Sequence, residues 1–195
     1  MSKIFKKTSL LQIQKKSAQR GFSNVQIAIG ILVTVILLLG ALSGYQYIQQ
    51  SKVSNEVAML TDLRTAIVRH GQVVGQFDTA AGKNAEMKTL IAMNMFNGAG
   101  LSIDTTANKV YSQWGGEVTV ATGTLTTAGD SLAFTVKGVP SAACKEISTK
   151  LDSIVAKIEV GATALKSNGA NSTLANVITG CGSAGSVDMV YTIAK

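Results

Sequence analysis

FSNVQIAIGILVTVILLLGALSGYQYIQQS, residues 22–51, decides the fold of this chain because it contains no charged residue. Its most apolar part, residues 27–42, would span about 24 Å as a helix, and the uncharged flanks extend it toward the roughly 30 Å hydrocarbon core of a bilayer. Arg20 precedes the stretch and Lys52 follows it. The pattern predicts a hydrophobic membrane-spanning helix over residues 22–50.

The net charge of the chain, +7, is concentrated before this stretch. Six of the eighteen basic residues lie in the first twenty positions, where no Asp or Glu occurs: Lys3, Lys6, Lys7, Lys15, Lys16 and Arg20. From residue 22 onward there are twelve Lys and Arg and eleven Asp and Glu, so 12 − 11 = +1. The body therefore lacks the basic stripe that phosphate binding requires, and we expect no direct binding of nucleic acid. The cationic end predicts a cytoplasmic N-terminus and an exported head.

Residues 1–21 are a predicted basic leader. A small residue, Gly21, stands before the apolar stretch rather than after it. An ordinary secretory signal has its small-residue cleavage site after the apolar region, where residues 41–43 (Ala-Leu-Ser) offer one. A cleaved secretory protein with a soluble head and no anchor therefore stays an alternative.

Residues 51–71 predict an amphipathic continuation of the helix. The apolar residues recur with helical spacing, and the charged ones are expected on other faces. The apolar set is Val53, Val57, Leu60, Leu63 and Ile67, and the charged set is Lys52, Glu56, Arg64 and Arg69. His70 and Gly71 predict the end of the helix, with glycine as the cap.

Residues 72–195 predict an α+β head in which the long helix packs on an antiparallel sheet. Alternation of apolar and polar residues at 118–120 and 132–136 predicts strands. Expected elements are a helix near residues 84–96, turns at residues 115–116 and 128–130, a helix from Ser141 (its N-cap) to about Val160, a short helix at residues 174–178, and a closing strand at residues 187–193.

Two cysteines, Cys144 and Cys181, both follow the predicted anchor. In an exported domain such a pair is more often a disulfide than a redox motif, so we expect a disulfide-closed region over residues 144–181. Two free thiols or half of a metal site are the alternatives. No CxxC spacing accompanies the cysteines, and the chain has a single histidine.

No catalytic or metal-binding constellation is evident in the sequence, and we expect no enzyme activity, metal or cofactor. His70 is the one candidate general base, and its place at a helix end favours a capping or surface role. The aspartates lack the spacing of a calcium loop: Asp62, Asp78, Asp104, Asp130, Asp152 and Asp188. A single-pass membrane enzyme with a periplasmic head is the alternative from another class.

The layout resembles that of a type IV prepilin. Residues 20–23 (Arg-Gly-Phe-Ser) look like the site where prepilin peptidase cuts after glycine, here between Gly21 and Phe22. A leader of 21 residues resembles the type IVb class. Residues 114–118 (WGGEV) and 142–144 (AAC) are similar to segments of bundle-forming pilins. The resemblance covers the whole chain in layout and residues 15–50 in motif.

This resemblance implies a structural subunit of a type IVb pilus with the type IV pilin fold. The chain would be held in inner-membrane lipid as a single-pass prepilin and would end in an extracellular, homo-oligomeric helical filament. Implied partners are prepilin peptidase and the pilus assembly platform with its ATPase complex. Implied assembly residues are Phe22, Gln26, Gly40 and Gly44. Adhesion, aggregation and conjugation are the activities that such filaments serve.

One residue departs from the family pattern. Most pilins carry glutamate at the fifth mature position, which is Gln26 when counted from Phe22. In the family this carboxylate is thought to pair with the N-terminal amine of a neighbouring subunit, and glutamine brings no charge to that contact. The departure favours, as an alternative, a minor pilin or a pseudopilin of a type II secretion-like system.

Overall fold

The computed structural model describes residues 24–96, 100–183 and 185–195, without the side chains of residues 24–26 and 42–46. The predicted leader and the Gly21–Phe22 cleavage site lie outside these residues. The chain divides into two compact units between Ser43 and Gly44. Among the described residues, no helix offers an apolar stretch long enough to cross a membrane.

A single helix, α1, runs from Asn24 to Val74. The chain's one proline is Pro140, so nothing in this stretch removes a backbone donor and breaks the helix. The predicted end at His70 and Gly71 is four residues too early. Gly75, with φ +75°, ends the helix, and its N–H donates to the Gly71 carbonyl oxygen at 3.0 Å.

Gly71 has a packing role instead of a capping role. A Cβ at this position would lie 2.5 Å from Cβ of Lys195 and 3.0 Å from Cζ of Phe77. The absent side chain lets the end of the last strand approach the helix closely. Glycine inside a helix costs roughly 1 kcal/mol relative to alanine, and here the close packing explains its presence.

The head is an antiparallel seven-stranded sheet with three further helices. In chain order the elements after α1 are α2 (Met87–Ala92), β1 (Ser102–Asp104), β2 (Lys109–Tyr111), β3 (Glu117–Thr124), β4 (Ala128–Pro140), α3 (Ser141–Lys150), β5 (Lys157–Val160), β6 (Thr163–Lys166), α4 (Leu174–Cys181) and β7 (Ser186–Ala194). The order across the sheet is β1-β2-β3-β4-β7-β5-β6. This arrangement confirms the predicted α+β fold.

Strands β3 and β4 contain the alternating residues that predicted them. Val118 pairs with Val136 and Val120 with Phe134, and β7 then pairs along the other edge of β4. The turn between β3 and β4 precedes the predicted position, because residues 128–130 already belong to β4. The Asp130 carboxylate accepts the amides of Leu125, Thr126 and Thr127 at 2.7 to 2.9 Å. This side chain therefore organises the turn from within the strand.

Helix α3 is shorter than predicted and begins differently. It ends at Lys150, and Pro140 rather than Ser141 occupies the N-cap position. Ile158 and Val160, expected near its end, are buried residues of β5, which pairs with β7. Ile158 fits a helical face seven positions after Leu151, whereas the two-residue spacing of Ile158 and Val160 fits a strand, and pairing with β7 decides between the two.

The core of the head lies between the second half of α1, the sheet and helices α2 to α4. Its largest fully buried side chains are Tyr191, Phe134, Leu60, Leu63, Ile67, Leu90, Leu132, Ile147, Leu151, Ile158, Leu165 and Met189. Three of them, Leu60, Leu63 and Ile67, belong to α1 and pack in this core. A methyl added at Gly116 would collide with the Lys137 backbone, so this turn glycine also permits close packing.

Candidate assembly helix and its junction with the head

The first part of α1 exposes its apolar side chains in every direction around the helix. Leu37 is 68% exposed, and no residue from 27 to 41 is buried. Large apolar side chains exposed here are Ile27, Ile29, Ile31, Leu32, Val33, Val35, Ile36, Leu37, Leu38 and Leu39. An exposed apolar surface of this length marks a segment that needs an apolar environment from outside the chain.

The small residues of this segment have free space beside them. A Cβ at Gly30 or Gly40 would meet nothing within 4 Å. The Thr34 hydroxyl donates to the Gly30 carbonyl oxygen at 2.8 Å, which satisfies this polar side chain within the helix. The side-chain environments of Gln26 and Gly44 lie outside what the structure describes, and Phe22 precedes the described residues.

The second part of α1 buries a face that includes two polar residues. Glu56 is 1% exposed and His70 is 8% exposed. The expectation that Glu56 lies on another face is wrong: it follows Val53 by three positions and precedes Leu60 by four, which places it on the buried face. The same spacing, three positions after Ile67, could have revealed His70.

His70 joins the helix to the loop that follows it. Its Nε2 lies 2.7 Å from the Asn84 carbonyl oxygen, and its ring centroid lies 6.0 Å from that of Phe77. Because a carbonyl oxygen can only accept, Nε2 of His70 is the donor in this contact. The expected capping or surface role is corrected to a buried contact between the helix and the loop of residues 75–86.

Glu56 lies where α1 meets the turn between β2 and β3. The Gln113 side-chain amide donates to Oε2 of Glu56 at 3.2 Å and to the Lys52 carbonyl oxygen. Burial raises the pKa of the Glu56 carboxyl from 4.5 to about 7, and interactions with Gln113 and then Trp114 oppose that rise. The Lys52 ammonium lies 5.4 Å from the centroid of the Trp114 ring.

The predicted disulfide is present. Cys144 in α3 is bonded to Cys181 at the end of α4, with a Cα–Cα distance of 5.7 Å, and both residues are fully buried. The bond joins two helices that flank the β5–β6 hairpin. Asp152 adds a second connection in this region, because it accepts the Ser172 amide at 2.7 Å and lies 3.6 Å from the Lys166 ammonium.

The buried polar residues of the second part of α1 make separate contacts within the head. In the part of the chain that the structure describes, no three His, Cys, Asp or Glu side chains come together as a metal site would require. His70 and Glu56 lie fourteen positions apart on α1 and have separate partners. Neither residue has a nucleophile among its hydrogen-bond partners.

Comparisons with known proteins agree with this architecture. A profile of the family described as PilS N terminal matches residues 50–194. A crystal structure of a type IVb pilin from Salmonella typhi is similar over 73% of this chain and 99% of its own, with 20% identity and a TM-score of 0.57. No curated protein sequence matches significantly.

A second solved structure is TcpA, a type IV pilin from Vibrio cholerae El Tor biotype. It is similar over 74% of this chain and 99% of its own, with 16% identity and a TM-score of 0.52. At identities this low, the structural similarity establishes the fold alone. The profile match over most of the chain establishes the family. The predicted resemblance to type IVb pilins is thereby confirmed. The chain belongs to the PilS family, and it has the fold of the type IVb pilins.

Proposed function

We propose that this protein is a structural subunit of a type IVb pilus that polymerises through the first part of α1. Prepilin peptidase removes residues 1–21 by cutting between Gly21 and Phe22, and residues 22–50 anchor the chain in the inner membrane before assembly. Residues 51–71 join the anchor to the head, residues 72–195. The assembly platform and its ATPase complex transfer the subunit from the membrane into an extracellular homo-oligomeric filament.

The exposed apolar side chains of residues 27–41 are the observation that supports this proposal most strongly. Ten large apolar residues in this stretch are at least 46% exposed. Lipid can cover such a helix, and so can the equivalent helices of other subunits. Assembly would then move the helix between two apolar environments, with packing as the main change.

The open sites at Gly30 and Gly40 supply further support. Small residues let helices approach closely, and Gly40 and Gly44 have the four-residue spacing of a helix-packing motif. Because a methyl at Gly30 or Gly40 would meet nothing in the isolated chain, these glycines have no internal packing role. We infer that their role lies in contacts with other subunits.

N-terminal sequencing of the main component of purified surface filaments, together with electron microscopy, tests the proposal. The expected mature N-terminus is Phe22. A Gly21→Leu variant should retain the leader and form no filaments, while the matched leader variant Gln14→Leu should be processed normally. A soluble, monomeric product beginning near Ser43 would contradict the proposal and support ordinary secretion.

Gln26 supports a second candidate function, that of a minor pilin or pseudopilin. Without the usual carboxylate, the contact with a neighbouring N-terminal amine loses its charge pairing. Copy number in purified filaments separates the candidates: a major pilin dominates the filament mass, and a minor subunit does not. Gln26→Glu should remain competent for assembly, and loss of all filaments in that variant would indicate packing specialised for an amide.

A further inference from the structure

The Glu56 carboxyl is buried at the junction between α1 and the turn that joins β2 to β3. It is 1% exposed, although it belongs to the water-facing part of the chain beyond the proposed anchor. A carboxyl group buried this fully is costly to ionise unless a cation or several hydrogen-bond donors surround it. Its surroundings therefore determine which form it takes.

Among the described residues, the Gln113 side chain donates the one hydrogen bond to this carboxyl that has full hydrogen-bond geometry, and the Trp114 indole also interacts with the carboxyl. The Gln113 amide donates to Oε2 of Glu56 at 3.2 Å and also to the Lys52 carbonyl oxygen. One amide group thus joins the turn to the helix at two positions. The neighbouring Trp114 lies beneath the Lys52 ammonium, so both turn residues pack against the same turn of α1.

The other carboxyl oxygen has no partner in full hydrogen-bond geometry. Oε1 of Glu56 and Nε1 of Trp114 are both buried, and the indole N–H interacts with the carboxyl without meeting that geometry. From the sheet, Tyr191 is the titratable group that interacts with Glu56, but its hydroxyl donates to Sδ of Met189 at 3.2 Å. The charged group on the same helix, Lys52, lies over the indole ring, and no ion pair to Glu56 occurs among the described residues.

This environment suits a neutral carboxylic acid better than a carboxylate. A neutral acid leaves one hydroxyl unpaired and keeps the Gln113 contact, whereas a carboxylate would place a full charge beside one amide donor, the Trp114 indole and an apolar core. Burial accordingly raises the pKa of Glu56 to about 7. A modest change of pH around neutrality would then change the charge at the junction.

We propose that Glu56 is a proton-operated latch: the neutral acid holds the Gln113–Trp114 turn against α1, and loss of the proton loosens that turn. The inference concerns the head alone and does not depend on the pilus role. Once ionised, the carboxylate is stabilised by contact with water. The turn of residues 112–116 is the short segment that covers the carboxylate.

The chain's single tryptophan gives a direct measurement, because Trp114 is itself part of the latch. In the full chain in detergent, Trp114 emission should change in one step with a midpoint near pH 7. The Glu56→Gln variant keeps the shape and hydrogen bonding of the neutral acid, so its emission should stay constant from pH 5 to pH 9. The control Glu146→Gln, an exposed residue paired with Lys150, should retain the wild-type step.

A second variant gives a directional test. Gln113→Leu removes the donor to Oε2, so the remaining titration should move to a higher midpoint than in the wild type. A step that persists unchanged in Glu56→Gln would assign the titration to another group, such as His70, and would overturn the proposal.

Infrared difference spectroscopy of the unmodified protein provides a measurement that needs no variant to fold. A buried carboxylic acid should give a protonated C=O band at pH 5 that disappears above pH 8. Glu56→Gln, where it folds, should lack that band. Absence of the band in the wild type at pH 5 would overturn the proposal whatever the fluorescence shows.

Discussion

The two parts of α1 have the same backbone conformation and opposite surroundings. In the first part, residues 27–41, every side chain is exposed, and in the second part, residues 53–70, a regular face is fully buried. Leu37 is 68% exposed and Leu60 is 0% exposed. One continuous helix therefore contains leucines at both extremes of exposure.

The difference shows that the sequence pattern of a helix depends on whether its packing partner belongs to the same chain or to other molecules. The second part has polar residues interspersed with apolar ones because its partner, the sheet, covers one face only. The first part is apolar all round, as expected when partners surround the helix and belong to other molecules. The second part packs in the core of the head, so we expect changes in the two parts to have separable effects.

The largest expected effect is on the head, in which the second part of α1 is buried, and it comes from removing the disulfide. Replacing both cysteines, Cys144→Ala with Cys181→Ala, should lower the free energy of unfolding of the head by about 4 kcal/mol, because a closed loop with a sequence separation of 37 restricts the unfolded chain. Urea unfolding followed by Trp114 fluorescence measures the change, with unreduced wild type as the reference and reduced wild type as a second form that lacks the bond. Labelling of both cysteines by an alkylating reagent in native, unreduced protein would contradict the bond itself.

The next largest effect compares one leucine from each part. Leu60→Ala should cost about 3 kcal/mol, because it leaves a cavity in the core. Leu37→Ala, an identical change at an exposed site, should leave the urea midpoint of the head unchanged. Equal destabilisation by the two variants would mean that the first part of α1 also packs within its own chain.

Protonation of Glu56 should have an effect of at most about 3 kcal/mol. The pKa of the carboxyl is raised in the folded state, from 4.5 to about 7, so the stabilisation is complete below pH 4.5 and is lost as pH rises through 7. Urea midpoints measured from pH 4.5 to pH 8 should fall in the wild type and vary less in Glu56→Gln. A wild type that becomes more stable over this range would reverse the sign and refute the assignment.

The smallest effect on the head should come from Gly40→Leu. A side chain at this site meets nothing within 4 Å in the isolated chain, so unfolding of the head should be unaffected. Filament yield should nevertheless fall sharply if subunits pack at this glycine. Ile36→Leu, which conserves volume, is the matched control, and normal filaments from Gly40→Leu would place the helix contact elsewhere.

Much of the fold follows from local pattern. The uncharged stretch, the helical spacing of Val53, Leu60 and Ile67, the alternation in β3 and β4, and the two cysteines predicted α1, the central hairpin and the disulfide. The helical spacing and the strand alternation each repeat one structural period over several residues. The family resemblance rested on the same features, and the profile match confirms it.

The errors occur where distant residues decide the local structure. Ile158 fits a helical face after Leu151, and only pairing with Tyr191 of β7 makes it a strand residue. Glycine is the residue type expected at a helix cap, but close packing with Lys195 explains the presence of Gly71, and the helix continues to Val74. The charge of Glu56 predicts an exposed side chain, although its spacing from the apolar residues of α1 predicts a buried one. The spacing is the better guide at this position.

The position of β7 in the sheet has a consequence for the order of folding. This strand lies between β4 and β5, and Ser131 of β4 pairs with Ala194, so the β5–β6 hairpin joins the rest of the sheet only through a strand synthesised after it. Such sequence-distant pairing is slow to form. Both cysteines precede β7, so the disulfide links α3 to α4 without any residue of the strand that joins the two parts of the sheet.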